Sequence, residues 1–141
     1  MTTHASTVRE AMTASPRTIS KDATVVDAAR LMITENVGSL PVVKGSELVG
    51  IVTDRDLVVE VLAKDLDPNK TLVADVCSEE PTVASPEEPL DSALQRMASE
   101  QVRRLPVVED GRVVGILAQA DIAREAEPEA TGEMVEEISE S

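Results

Sequence analysis

The chain has 141 residues, and 13 basic against 27 acidic side chains give a net charge of −14. This acidity argues against nucleic acid as a partner, because phosphate neutralisation needs a basic surface. A single Cys excludes an internal disulfide, and no run approaches the roughly 18 apolar residues that span a bilayer. We therefore expect a cytoplasmic protein with no membrane segment.

The predicted elements begin after a polar stretch, residues 1–7, which we expect to be flexible. A short strand at Thr18-Ile19 comes first. A helix follows, whose apolar residues have the spacing of one helical face: Val25, Ala28, Ala29 and Met32. Thr24, with Asp27 three residues later, is typical of a helix start.

Two apolar runs then predict a hairpin, Leu40–Val43 and Leu48–Val52, with the turn at residues 44–46. A second helix is predicted next. Its apolar residues are expected on one face: Leu57, Val58, Val61 and Leu62.

The same order of elements recurs 65 residues later. Aligning residues 8–57 with 73–122 without a gap gives 15 identities, whereas chance would give about three or four. Thr82-Val83 matches Thr18-Ile19 at an offset of 64. The second helical pattern uses Leu90, Ala93, Leu94 and Met97, and the second hairpin joins Leu105–Val108 to Val113–Leu117 through Asp110-Gly111.

The repeat divides the chain into predicted regions. We expect an α+β fold of two β-α-β-β-α units that pack with pseudo-two-fold symmetry, since one unit alone would expose an apolar sheet face. Unit 1 covers residues 8–64, a connector 65–70, and unit 2 residues 71–124. The acidic tail, 125–141, carries seven Glu and no Lys or Arg, which is half of the net charge. It is expected to be a flexible solubilising tail; a partner-binding arm is the alternative.

This duplicated pattern resembles the cystathionine-β-synthase (CBS) domain, which occurs as tandem pairs. The first copy matches at Val8, Met12-Thr13, Pro16, Thr18-Ile19, Leu40-Pro41-Val42-Val43 and Gly50-Ile51-Val52-Thr53-Asp54-Arg55-Asp56. The second matches at Pro81-Thr82-Val83, Leu105-Pro106-Val107-Val108 and Gly115-Ile116-Leu117-Ala118-Gln119-Ala120-Asp121. The coverage, about residues 8–124, is similar to stand-alone CBS pairs such as the small bacterial hypoxic-response proteins.

The resemblance implies a regulatory module that binds an adenine nucleotide or adenosyl ligand in the cleft between the units. AMP, ADP, ATP and S-adenosylmethionine are the candidates, no cofactor is required, and the ligand state would pass to an unknown regulated protein. The resemblance also implies a homodimer. The residues that it places at the ligand are Thr18, Ile19, Leu40, Pro41, Val42, Thr53, Arg55, Asp56, Arg103, Arg104 and Asp121.

The chemistry of Thr53 and Asp56 suits that role. The Asp56 carboxylate can accept hydrogen bonds from two ribose hydroxyls. Residues 53–56 are also expected to open a helix with free backbone N–H groups that favour an anion, with Arg55, Arg103 and Arg104 supplying positive charge. Without aromatic residues, adenine must lie between aliphatic side chains and backbone amides.

Other interpretations of these residues remain open. Thr53-x-x-Asp56 also fits a capping box, in which both residues serve only to start the helix. Arg103 and Arg104 are equally explained as solvated surface charges. In the second copy only Asp121 keeps the motif, because Ala118 replaces the Thr, so a second equal site is doubtful.

Catalysis is not expected. The single His, His4, lies in the polar N-terminal stretch, and Cys77 aligns with Met12, which favours a buried small apolar residue over a reactive thiol. The alternative to a ligand-binding regulator is a dimeric interaction or stress-response scaffold that binds no ligand.

Overall fold

The computed structural model describes residues 7–79 and 81–120, so the acidic tail and nearly all of the predicted flexible N-terminus lie outside the described residues. The helical elements are α1 (Val8–Ala11), α2 (Val25–Glu35), α3 (Asp54–Leu57), a π-helical segment (Val58–Leu62), α4 (Val73–Val76) and α5 (Leu90–Glu100). The strands are β1 (Thr13–Ala14), β2 (Ile19–Ser20), β3 (Ser39–Lys44), β4 (Glu47–Thr53), β5 (Arg104–Glu109) and β6 (Arg112–Ala118). The predicted α+β class is confirmed.

The chain forms two compact units that do not coincide with the two sequence repeats. The repeat-1 unit contains Arg17–Pro81 together with Gly111–Val113. The repeat-2 unit contains, among the described residues, 7–16, 82–110 and 114–120. The short helix that begins each repeat therefore belongs to the unit built mainly from the other repeat.

In the repeat-1 unit, β3 is the central strand. It pairs in parallel with β2 and antiparallel with β4, with an irregularity between Val42 and Val43. The helix α2 covers this sheet, and α4 closes the core through a hydrogen bond from the Val73 N–H to the Ala23 carbonyl, 2.8 Å long. The buried core residues are Ile19, Val25, Ala28, Met32, Leu40, Val42, Val52, Val61, Val73 and Val76.

The repeat-2 unit has the same plan with α1 in the place of α4. Strand β6 pairs with β5 and, antiparallel, with β1. The Val8 N–H donates to the Glu88 carbonyl at 3.0 Å, which anchors α1 beside the start of α5. The buried core residues are Val8, Ala11, Ala84, Leu90, Ala93, Met97, Leu105, Val107 and Leu117.

The main helices and hairpins follow the sequence prediction. In α2 three of the four residues of the predicted face, Val25, Ala28 and Met32, are buried, whereas Ala29 is half-buried. The Thr24 hydroxyl accepts from the Asp27 N–H at 3.2 Å. The Asp110-Gly111 turn has positive φ at both residues, 53° and 81°. This is the backbone that a tight hairpin turn requires.

The second helix of repeat 1 does not bury the apolar face that the sequence predicts. Only residues 54–57 are α-helical. The chain then widens into the π-helical segment, in which the Ala63 N–H reaches the Val58 carbonyl, five residues back, at 2.8 Å. The wider turn rotates the apolar residues relative to an α-helix, so Val61 is buried while Val58 and Leu62 are 53% and 68% exposed.

Two further differences concern short elements. The strand predicted at Thr82-Val83 is absent from the described residues, where a single bridge between Ala84 and Val107 takes its place. The four-residue helices α1 and α4 were not predicted. Neither is long enough to show a helical period in the sequence.

Candidate ligand site

The junction between β4 and α3 carries the residues that the sequence singled out. Thr53 ends the strand in an extended conformation and caps the helix. Its hydroxyl accepts from the Asp56 N–H at 3.1 Å, and its own N–H donates to the Asp56 Oδ2 at 2.9 Å. Thr53 and Asp56 therefore form the reciprocal capping box that the sequence allowed.

The other two backbone N–H groups of this junction are also satisfied within the protein. The Asp54 N–H donates to the Gly38 carbonyl at 2.9 Å, and the Arg55 N–H donates to the Asp54 Oδ1 at 2.8 Å. The expectation of free N–H groups for an anion at residues 53–56 is therefore wrong. These N–H groups donate instead to the side chains of Thr53, Asp54 and Asp56 and to the Gly38 carbonyl.

What the junction still offers is acceptor capacity. The capping box uses Oδ2 of Asp56, and within the described part of the chain no hydrogen bond reaches Oδ1. Asp56 is half-buried, which holds its side chain in place while leaving it accessible. An unused carboxylate oxygen in a fixed position suits a hydroxyl or another neutral donor.

Five of the predicted ligand contacts come from the segments Thr18-Ile19 and Leu40–Val42. Ile19, Leu40 and Val42 are buried in the core of the repeat-1 unit, with Ile19 paired opposite Val42. Pro41 is also buried, and Thr18 is half-buried. Because four of the five side chains are buried, this segment can meet a ligand mainly through its backbone and through Thr18.

Cys77 lies near this junction, although the sequence did not place it there. A Cβ added to Gly50 would lie 3.0 Å from the Cys77 Sγ and 2.4 Å from the Ser78 carbonyl oxygen, so the strand and this segment are in close contact. Burial raises the pKa of the Cys77 thiol, and the carboxylates of Glu79, Asp56 and Asp75 raise it further. A raised pKa favours the neutral thiol over the more nucleophilic thiolate.

The remaining predicted site residues belong to the repeat-2 unit or to undescribed chain. Arg103 and Arg104 are exposed, and the Arg103 carbonyl accepts from the Gln119 N–H at 3.0 Å, as Gly38 does from Asp54. Asp121 lies outside the described residues. The contribution of these three residues to a ligand site stays a prediction.

The second copy of the motif has different side chains and hydrogen bonds from the first. Ala118 stands where repeat 1 has Thr53, so it offers no capping hydroxyl, and the Thr82 hydroxyl donates to the Glu100 Oε1 at 2.5 Å. Arg96 donates to the Val83 carbonyl and pairs with Glu88. The Thr82 hydroxyl and the Val83 carbonyl, which align with Thr18 and Ile19 of the first copy, are therefore already hydrogen-bonded within the protein.

Arg96 and Glu88 have no equivalents in repeat 1, where Leu31 and Ala23 occupy the aligned positions. This ion pair therefore distinguishes the second copy from the first. Sequence comparison of the repeats could have found this pair, since an Arg and a Glu eight residues apart replace two apolar residues.

The described residues contain neither a cluster of metal-ligating side chains nor a membrane-spanning helix. No three His, Cys, Asp or Glu side chains among residues 7–79 and 81–120 are placed to hold an ion. None of the helices in this part of the chain has the length and apolar character needed to span a bilayer.

Comparison with known proteins gives a consistent result. The CBS domain model matches residues 8–63 and 73–127. The CBS domain-containing protein YhcV of Bacillus subtilis is 38% identical over 135 residues, which cover 95% of this chain and 96% of that protein.

Two solved structures have the same fold. Hypoxic Response Protein I with two coordinated zinc ions has a TM-score of 0.79 and 34% identity, covering 86% of this chain and 99% of that one. The zinc ions have no counterpart in the described residues here, where Cys77 is the single Cys and no His is present. CBSX2 in complex with AMP has a TM-score of 0.75 and 27% identity, covering 85% and 95%. The chain belongs to the CBS domain family and carries two CBS domains in tandem.

Proposed function

We propose that this CBS pair is a regulatory module that binds an adenine nucleotide or adenosyl ligand at the β4–α3 junction and signals to a protein partner. The observation that carries the proposal is the half-buried Asp56, whose Oδ2 is fixed by the capping box while Oδ1 remains open to a ribose hydroxyl. A structural relative at 27% identity holds AMP, which supports the ligand class. We infer a cytoplasmic, non-catalytic protein.

The coupling to a partner follows from differential binding. A ligand that contacts two arrangements of the protein unequally shifts the population toward the arrangement it favours, and a partner that recognises that arrangement reads the ligand. Pull-down experiments with and without ligand can identify the regulated protein.

Thermal unfolding with AMP, ADP, ATP and S-adenosylmethionine tests the proposal. A ligand at 100 times its Kd adds about 2.7 kcal/mol to the free energy of unfolding. Because the protein has no aromatic residue, an absorbance peak near 260 nm in nucleic-acid-free protein also reports a co-purified nucleotide.

The matched variants are Asp56→Asn and Asp75→Asn. Both aspartates accept a backbone N–H at the start of a four-residue helix, from Thr53 at 2.9 Å and from Leu72 at 3.1 Å, and an Asn can accept the same bond. We expect Asp56→Asn to weaken binding about tenfold or more, because it removes a charged acceptor. Asp75→Asn should leave binding unchanged. Equal affinities of the two variants would remove Asp56 from the site.

The alternative is a scaffold that binds no ligand. The satisfied N–H groups of residues 53–56 and the Ala118 replacement favour it, since a pure helix cap needs nothing more. An unchanged melting temperature with all four ligands, together with protein free of 260 nm absorbance, would support the scaffold and reject the sensor.

A further inference from the structure

We propose that the β4–α3 junction selects adenosyl ligands by charge, favouring those with no more than one phosphate, and that Asp54 is the residue that sets this selectivity. The inference rests on the proposed function, because it concerns which ligand the same site takes. It depends on three features of the junction: its saturated N–H groups, the fixed position of Asp54 and the pairing of the nearby cations.

The first feature is the absence of donors for a phosphate chain. Phosphate sites built on a helix start use unpaired backbone N–H groups. Here the N–H groups of Thr53, Asp54, Arg55 and Asp56 donate to Asp56, Gly38, Asp54 and Thr53, respectively. A polyphosphate at this junction would have to displace one of these bonds to gain a backbone contact.

The second feature is a carboxylate held at the junction beside Asp56. Asp54 is fixed by the hydrogen bond that its Oδ1 accepts from the Arg55 N–H, 2.8 Å long. Its Oδ2 lies so close to Gly38 that an added Cβ there would be 3.0 Å away. Asp54 therefore keeps a negative charge at the motif in addition to that of Asp56.

The third feature is that the two cations of the repeat-1 unit on either side of Thr18-Ile19 are already paired. Arg17, which precedes Thr18, pairs with Glu35 at 3.3 Å, and Lys21 pairs with Asp22 at 3.2 Å. Arg55 forms no ion pair with any described residue, so residues 53–56 carry one unpaired guanidinium and two carboxylates. This balance can hold one phosphate but opposes each further one.

Ligand affinities along the series adenosine, AMP, ADP and ATP test the inference, measured by calorimetry at low salt without Mg²⁺. We expect the affinity to fall from AMP to ADP to ATP. S-adenosylmethionine, whose sulfonium is positive, should bind more tightly than neutral S-adenosylhomocysteine. High salt should reduce both differences by screening.

Asp54→Asn is the diagnostic variant, because its amide oxygen can still accept the Arg55 N–H. Two extra phosphate charges about 8 Å from one carboxylate in water change affinity by about fivefold, so the AMP-to-ATP affinity ratio should shrink by about that factor. Asp67→Asn is the control: Asp67 also accepts a nearby N–H, from Asn69 at 2.9 Å, but lies in the connector. It changes the net charge equally.

Each outcome is decisive. Tighter binding of ATP than of AMP by the wild type would overturn the inference, as would equal ratios for Asp54→Asn and Asp67→Asn. Those results leave the proposed function standing, because a ligand still binds. Binding of no ligand in the series would overturn the proposed function and the selectivity with it. Melting temperatures near that of the wild type confirm that both variants fold.

Discussion

Thr53 and Asp56 have two tasks that compete for the same atoms. As a cap, Thr53 uses its hydroxyl as an acceptor, and Asp56 uses one of its two carboxylate oxygens. As ligand contacts, the hydroxyl still has a proton to donate and the carboxylate has Oδ1. The cap therefore prepares the side chains for a ligand without exhausting them.

Substitution at two helix caps separates these tasks. Thr53 caps α3 and Thr24 caps α2 with the same kind of bond, 3.1 and 3.2 Å long. We expect Thr53→Ala and Thr24→Ala each to lower the free energy of unfolding by about 1 kcal/mol in urea titrations. Only Thr53→Ala should weaken AMP binding, and Thr53→Ser should restore it. An equal loss of affinity in Thr24→Ala would show that binding merely follows stability.

At the scale of elements, the fold could be predicted where the signal is local. The period of α2, its Thr24 cap and the Asp110-Gly111 turn are all contained in short stretches of sequence. Which side chains of the π-helical segment are buried could not be predicted. Their orientation depends on the hydrogen bond from the Ala63 N–H to the Val58 carbonyl, five residues back, which apolar spacing does not reveal.

The exchange of short helices between repeats is also hidden from local sequence. Gly115 contacts the Met12-Thr13 segment, as Gly50 contacts Cys77-Ser78, and an added Cβ at Gly115 would lie 2.5 Å from the Met12 Sδ. The aligned glycines have no side chain because a segment from the other repeat passes there. The same limit applies to the site: residues 53–56 were found from sequence, but the Gly38 bond that occupies the Asp54 N–H was not.

The Arg96–Glu88 pair is an element-scale feature with a pH-dependent effect. Burial alone would raise the Glu88 pKa, but hydrogen bonds from Arg96, Ser92 and the Ser85 N–H outweigh it and lower the pKa below its usual value. Because the folded pKa is below the unfolded one, the stabilisation is present above about pH 4.5 and is lost as the pH falls through the folded pKa.

Glu88→Gln should therefore lower the free energy of unfolding by about 1–3 kcal/mol at pH 7, since it leaves Arg96 without its charged partner. The difference from the wild type should shrink as the pH falls below about 4.5 and through the lowered pKa of Glu88. Glu87→Gln removes one of the two exposed partners of Arg9 and should cost less than about 0.5 kcal/mol. Urea titrations at several pH values measure both variants; a gap that does not change with pH would contradict the assignment.

At the scale of the whole molecule, charge and apolar exposure are unevenly distributed. Half of the net charge lies in residues 125–141. The exposed large apolar side chains of the described residues all belong to the repeat-1 unit: Ile33, Val58, Val59, Leu62 and Leu66. Three of them come from the π-helical segment, so the geometry of that segment sets much of this exposure.

We propose that this apolar segment forms the contact in a homodimer, which the family resemblance implies. Two copies that each carry a charge of −14 repel one another, so their association needs an uncharged contact, and Val58, Val59 and Leu62 supply one. Light scattering after size-exclusion chromatography should give twice the chain mass for the wild type. Leu62→Glu should shift the protein to the monomer, because it places two carboxylates in an apolar contact. Ala98→Glu, at an exposed position of α5, adds the same charge and should remain dimeric. A monomeric wild type would refute the dimer, and a dimeric Leu62→Glu would assign the contact to another surface.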